Sequence, residues 1–420
     1  MKKTFSITIL LFTIFQVCGQ NNRLLIKNVN IIPLHINQQQ SNRDVIIENG
    51  VISQIREHAE NDTTDYDLGI IEGNGKYLIP SFADAHSHFP EEENLQTYFL
   101  MNLMNGVTTL RSMRGQDWHL EIDKNTEWTP NLILSSPPIS RRDSLTEKMA
   151  DGLISGYKKS GFDFIKILSV KDENTFDYLV KFAKNNNIKL AGHCPSNVGI
   201  FKICDSNIYQ SIEHLGGFFQ LQNNAEINLA IDRSISANLY HCPTLDWYFT
   251  RQVPEEQLRK RNGTEYLPKE LIREWEDKIT AYFDKTKEKE RAGNREENKD
   301  KFQNRLDYLG HIYRQGGKLL LSPDASGIYG IPGFGVHTEM EHFANAGISN
   351  FDILKAASYN LSEMLNSEND WGTIKIGASS DLVLLNTNPL ENIKNAKDIN
   401  GVVFKGVFYS KSNLKKQLDR

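Results

Sequence analysis

From Phe82 to Ser322 short apolar runs alternate with stretches of helical periodicity, and no other feature constrains the fold of this chain as strongly. Eight runs read as strands: Phe82–His88, Val107–Arg111, Asn131–Ser135, Phe164–Ile167, Leu190–His193, Ser211–His214, Asn238–Cys242 and Lys318–Ser322. Most are followed by a helical pattern. Behind the first, Phe99, Leu100, Leu103 and Met104 share one stripe, and Gly106 ends it. Strand, helix and strand in succession make the unit of a parallel sheet, because parallel neighbours need a long crossover. Eight such units imply an α/β fold of the (β/α)8 TIM-barrel type, for which about 250 residues is ordinary. A stretch dense in Lys, Glu and Arg, residues 251–304, enlarges it and reads as long solvated helices.

Both ends of the chain have a different texture. LLIKNVNIIPL and DVIIENGVISQI near the start, and GTIKIGASSDLVLLN and GVVFKGVFYS near the finish, are rich in β-formers, with Glu48-Asn49-Gly50 as a hairpin turn. Residues 1–19 read as an export signal: Lys2 and Lys3 precede an apolar run from Phe5 to Phe15, too short to span about 30 Å of hydrocarbon. Val17 and Gly19 suit cleavage before Gln20, giving a periplasmic or secreted protein; the alternative is a lipoprotein anchored at Cys18. Cys194, Cys204 and Cys242 then remain, an odd number that leaves at least one unpaired and excludes a disulfide scaffold. A net charge of −5 gives no electrostatic reason to expect nucleic acid or an anionic membrane as partner. No membrane span is expected, and a homo-oligomer is left open.

The ionisable residues fall in a pattern on the eight runs. His86 and His88 are two apart on the first strand, so both side chains leave one face. In a barrel that face is the interior, and active sites sit at the C-terminal ends of the strands. Lys166 ends the fourth strand in DFIKI, His193 the fifth in LAGHC and His214 the sixth in SIEHL, while Asp324 follows the eighth in SPDAS. The other seven histidines form no comparable pattern. Six ligand-capable groups at one end of one barrel point to bound divalent metal, with zinc the first choice and Mn, Co or Fe compatible with the same donors. Two satisfied histidines in a turn would be the alternative for the HxH pair alone. A free ammonium at Lys166 would oppose a metal, so that side chain is turned away, paired, neutral or chemically converted. Asp84, on the same face as the HxH pair, either orients a ligand or makes a structural hydrogen bond.

These segments resemble the metal-dependent amidohydrolase superfamily over nearly the whole mature chain. The resemblance is carried by GKYLIPSFADAHSHF, NGVTTLRSM, DFIKI, SIEHL, SPDAS and the closing GTIKIGASSDLVLLNTNPLENI. It implies a small composite β-sandwich built from residues 22–80 and 367–412 around a barrel at 81–366. DFIKI is similar to the subgroup that includes Xaa-Pro dipeptidase-like enzymes, in which this lysine is carboxylated by CO2. The resemblance thus implies two metal ions, one on His86, His88 and Asp324, the other on His193 and His214, bridged by carboxylated Lys166. It also implies Asp324 as the catalytic proton carrier, with a pure ligand role as the alternative. Three positions depart from the family pattern: Ser112 where Asp is usual, Ser322-Pro323 where Gly-Thr is common, and Leu361 where Pro is usual.

The expected activity is hydrolysis of a C–N bond in a small amide, a dipeptide or an N-acyl amino acid. A carboxylate on such a substrate calls for Arg, His or Tyr, and Arg111, Arg114, Tyr240, His241 and His337 are candidates by their places at or after strand ends. Two other readings compete: a single-metal enzyme resembling imidazolonepropionase or a deaminase, and a catalytically silent barrel used as a binding scaffold.

Overall fold

The computed structural model describes residues 22–60, 66–140 and 145–419, so the expected export signal and Cys18 lie outside the described residues. The chain opens with five strands: β1 (Arg23–Ile31), β2 (Gln40–Glu48), β3 (Val51–Glu57), β4 (Ile70–Glu72) and β5 (Tyr77–Pro80). Asn49 and Gly50 both take left-handed φ (52° and 79°), as a two-residue hairpin turn requires, and Glu48 pairs with Val51 across it.

Beyond Ser81 the expected runs appear as β6 (Phe82–Ser87), β7 (Val107–Ser112), β8 (Asn131–Leu134), β9 (Phe164–Ile167), β10 (Lys189–Gly192), β11 (Tyr209–Glu213), β12 (Tyr240–Cys242) and β13 (Lys318–Leu319). They form two parallel sheets in sequence order, β6-β7-β8 and β9 to β13. The two are linked by isolated bonds. Ser135 bridges to Phe164 at one seam, and at the other the Ala85 N–H donates to the Leu321 carbonyl at 3.2 Å. The result is a TIM-barrel-like α/β arrangement of two linked parallel sheets. The last strand is shorter than expected because the Leu321 N–H turns to the Ala356 carbonyl at 3.0 Å, and Ser322 is drawn to Asp84.

The chain returns through β14 (Leu382–Leu385), β15 (Ile399–Phe404) and β16 (Val407–Ser410). β14 pairs antiparallel with β5, so both chain ends share one mixed sheet, ordered β16-β15-β14-β5-β1-β2-β3 with β4 on β1. Where a sandwich is expected, the strand ladder is therefore a single continuous sheet. Leu24, Ile26, Val45, Ile47, Leu382 and Leu384 give it a core of its own.

The charged stretch is helical as expected, with helices Glu255–Leu258, Lys269–Lys285 and Glu288–Arg314, but it is not simply solvated. Leu258, Leu267, Trp275 and Ile279 bury against Met101, Tyr329 and Ile331. The third helix runs past residue 304 and sinks Phe302, Leu306, Leu309 and Ile312 into the main core. Among the described residues no helix is long and apolar enough to cross a membrane.

One ion pair fastens the insertion to the body. Arg261 Nη2 donates to both oxygens of the buried Asp246 carboxylate, at 2.8 and 2.6 Å. Arg261→Ala should destabilise the protein by about 3–5 kcal/mol, because it strands that buried charge. Urea unfolding of the variant checks this, and a loss under about 1 kcal/mol, the range of a solvated pair, would contradict it.

Candidate metal centre

The C-terminal ends of the parallel strands bring the six expected groups together. His86 lies on β6 and His88 just beyond it; Lys166 is on β9, His193 follows β10 and His214 follows β11. Imidazole Nε2 atoms of His86, His88 and His214 lie 3.7, 3.4 and 3.9 Å from the Asp324 carboxylate. Ring centroids of His86 are 5.2 Å from His88 and 4.9 Å from His214, and His193 is 4.9 Å from His214. Gly192 makes room for this: with φ at 134°, it lets the His193 N–H reach the Ile167 carbonyl at 2.9 Å, where a Cβ would lie 2.1 Å from the same oxygen. His214 and Asp324 also take left-handed φ, 62° and 47°, a conformation that costs a side-chain-bearing residue on the order of 1–3 kcal/mol.

The outer nitrogens of two histidines decide which way their lone pairs face. His86 Nδ1 is 2.8 Å from Glu213 Oε2, a carboxylate that only accepts, so Nδ1 carries the proton. His214 Nδ1 is 2.5 Å from Thr244 Oγ1, whose own hydroxyl donates to the Pro243 carbonyl at 2.8 Å, so this Nδ1 is a donor too. Both Nε2 lone pairs therefore point inward at Asp324, acceptor facing acceptor. Such a contact is repulsive until something positive sits between the groups. One ligand atom each from His86, His88 and Asp324 lie within 4.8 Å of one another, which suits a divalent ion.

The electrostatics agree with that donor set. Burial, reinforced by the charge on Lys166, holds His88 down to about 3 and His193 at about 4, and keeps His86 and His214 well below their ordinary value. All four are thus neutral at physiological pH, the form of imidazole that can bind a metal ion. Burial lowers the Lys166 ammonium to about 8 and raises the Asp324 carboxyl to about 7. Lys166 Nζ is buried and has no hydrogen-bond partner among the described residues.

Glu213, which the histidine pattern does not single out, is the hub behind the cluster. It is fully buried, accepts from His86 Nδ1 and from Ser211 Oγ (2.6 Å), and faces Arg111 Nη1 at 3.5 Å. Its signal was its place beside His214 in SIEHL, where strand alternation turns it into the interior with Ser211. Asp84 makes structural hydrogen bonds: it accepts from the His86 N–H (3.1 Å) and from Ser322 Oγ, tying β6 to the turn that carries Asp324. Ser326 Oγ donates to Asp324 Oδ1 at 2.6 Å.

The structure corrects the expected substrate clamps. Arg111 is fully buried, donates to the Ala85 carbonyl at 3.2 Å and lies over Phe164, serving as countercharge to Glu213. Tyr240 is buried too, and its hydroxyl donates to Glu363 at 2.6 Å, at the opposite end of β12 from Cys242. His241 alternates outward to Ser234 Oγ (3.0 Å) on a surrounding helix. His337 packs edge-on against Phe82 and lines a separate cavity with Asn105 and Lys260. Arg114 is exposed, and it borders a cavity of about 750 Å³ with His88, Tyr98, Trp275 and Ser326.

The sequence profile of the amidohydrolase family matches residues 77–408, most of the chain and every residue of this cluster. The chain belongs to the amidohydrolase family. An adenine deaminase of Clostridium perfringens is 23% identical over 199 residues, which cover 42% of this chain and 34% of that enzyme. The aligned part thus spans about a third of the length of the curated relative it matches. A bottromycin amidohydrolase superposes with a TM-score of 0.75 at 20% identity, covering 95% of this chain and 89% of the other. A Xaa-Pro dipeptidase with bound methionine superposes with a TM-score of 0.69 at 18% identity, covering 92% and 100%. An A. niger ochratoxinase follows at 0.66 and 15%, covering 93% and 96%. These likenesses establish the shared fold.

Glu213→Gln should weaken the binding of a divalent metal at this cluster about 10–100-fold while the fold persists, because the charge orienting His86 is lost and the acceptor shape is kept. Competition with a chromogenic chelator, beside circular dichroism, measures both; unchanged affinity would remove Glu213 from the centre.

Proposed function

We propose that this chain is an exported metal-dependent hydrolase that cleaves a C–N bond in a small amide, a dipeptide or an N-acyl amino acid. One observation carries the reading: inward-facing imidazole lone pairs oppose a buried carboxylate, with an unpartnered lysine amine buried beside them. In this proposal His86, His88 and Asp324 hold one divalent ion, taken as zinc, and His193 and His214 hold a second. Lys166 joins them as a carbamate: its neutral Nζ bonds to the carbon of CO2 and releases one proton, leaving an anion where the ammonium would repel metal. The barrel is taken as closed over residues 81–366, with the two β-rich ends as its companion domain.

Ions bound there supply Lewis-acid polarisation of a carbonyl and acidification of water. The protein supplies the rest. Asp324 receives the proton of the attacking water and delivers it to the departing nitrogen as the C–N bond breaks, and Ser326 holds its Oδ1 in place. Glu213 and Thr244 keep the two imidazoles from rotating. The cavity beside His88 has room for a small substrate, with Trp275 and Tyr98 excluding water from its wall.

A second reading, a single-metal enzyme of the deaminase kind, is favoured by the adenine deaminase match and by the compactness of the His86, His88 and Asp324 group. Metal analysis separates the two, with about two zinc per chain expected on the first reading and about one on the second. Asp324→Asn should lower kcat on a dipeptide and N-acyl amino acid panel by about 10²–10⁴-fold with the fold intact. Near-normal turnover would remove its proton-carrying role. Lys166→Ala should lose metal and activity together, with partial return on adding a short carboxylic acid; full metal and rate in that variant would exclude the bridge.

A further inference from the structure

Beside the metal centre lies a second cavity, of about 320 Å³, that the mechanism above does not use. Arg251, Lys301 and Arg305 line it together with Asn298, Tyr248 and Phe219, and among the described residues no carboxylate does. Lys301 is engaged by Glu297 at 2.6 Å, and nearby Glu255 by Arg295 at 3.9 Å. That leaves two guanidinium groups without an acidic partner among the described residues. Each has its guanidinium carbon over an aromatic ring: Arg251 lies 3.6 Å from the Trp247 ring centroid and Arg305 3.3 Å from that of Tyr248. Stacking holds the two guanidinium groups in place, and apart from the bond of Arg305 Nη1 to the His214 carbonyl no hydrogen bond to either is found among the described residues, which leaves N–H groups to grip a planar anion.

The cavity also adjoins the reacting groups. Arg305 Nη1 donates to the His214 carbonyl at 3.0 Å, and the rings of Trp247 and Tyr248 are 6.1 and 6.2 Å from the His214 ring. The charge of Asp324 is felt at both Arg251 and Tyr248. The supporting helix Leu245–Phe249 is held firmly, its first N–H groups donating to the buried carboxylate of Glu339 at 2.8 and 2.7 Å. Arg251 is exposed and Arg305 half-buried, so the two neighbouring cations are open to an anion arriving from solvent.

We propose that this cavity is the specificity subsite for the substrate's carboxylate, gripped by Arg251 and Arg305, so that the enzyme selects amides carrying a free acid. The charged helical stretch thereby serves the reaction, since Arg251 opens it and Arg305 stands on its last helix. The inference rests on the hydrolase reading only for which bond is cut.

The test uses paired ligands on the metal-loaded protein. N-acetyl amino acids and their methyl esters are compared for cleavage of the N-acyl bond. N-alkyl amino acids and their methyl esters, which have no amide to cut, are compared by calorimetry. The wild type should prefer the acid at least about tenfold in both kcat/KM and Kd, the size of a charge-assisted pair of hydrogen bonds. In Arg251→Gln the acid-to-ester ratio should fall close to one, and Arg305→Lys should lower it part-way, since lysine keeps the charge without the fork. A wild type without preference overturns the proposal, as does a preference that survives both variants or a loss that strikes acid and ester equally. If neither N-acetyl compound is cleaved the hydrolase reading fails, and the calorimetric ratio alone then decides the subsite.

Discussion

The contact between the Glu213 carboxylate and His86 Nδ1 is the interaction on which the rest of the centre depends. A buried carboxylate is expensive, and here three groups justify it: the imidazole N–H, the Ser211 hydroxyl and the Arg111 guanidinium. In return it fixes the tautomer of His86, whose other nitrogen faces Asp324. Arg111 is in turn wedged between Phe164 and the Ala85 carbonyl, so the orientation of His86 is referred to β6, β7, β9 and β11 at once. A side chain held in this way does not need a bound ion to find its rotamer.

Much of this was legible in the sequence, for physical reasons. Strand alternation and the rule that barrel chemistry gathers at C-terminal strand ends are enough to group His86, His88, Lys166, His193, His214 and Asp324 from the sequence. The strands themselves were readable because apolar runs bounded by Gly, Asn and Asp leave few choices; β9 coincides with the expected Phe164–Ile167. The substrate clamps were not legible. Chain position places a residue near a strand end but says nothing about which neighbour claims its charge. Arg111 went to Glu213, and Tyr240 to Glu363, because those acids arrive from distant segments. His241 sits on a strand between two inward residues, and alternation should have sent it outward to Ser234 from the start. The charged stretch misled for another reason: its Lys and Glu composition hid the few apolar positions, Trp275 and Ile279 among them, that dock it.

The two β-rich ends show the same logic at larger scale. β5 leads through Ser81 directly into β6, and β14 pairs with β5, so the strand that carries the HxH pair is anchored by a sheet closed only when the C-terminal segment has arrived. Pairing between residues some three hundred positions apart makes assembly slow compared with local hairpins. It also means that the ligand-bearing strand starts from a rigid root.

His214 and Asp324 sit in left-handed backbone without being glycine. Ordinary thermostability engineering would replace such residues with glycine to relax the local torsions, but here the side chain is the reason the torsion is tolerated. Screening for heat-resistant variants should thus find its gains on the outer helices and the edge strands, while these turns at the strand ends stay closed to improvement, a fixed tax that the rest of the molecule has to carry.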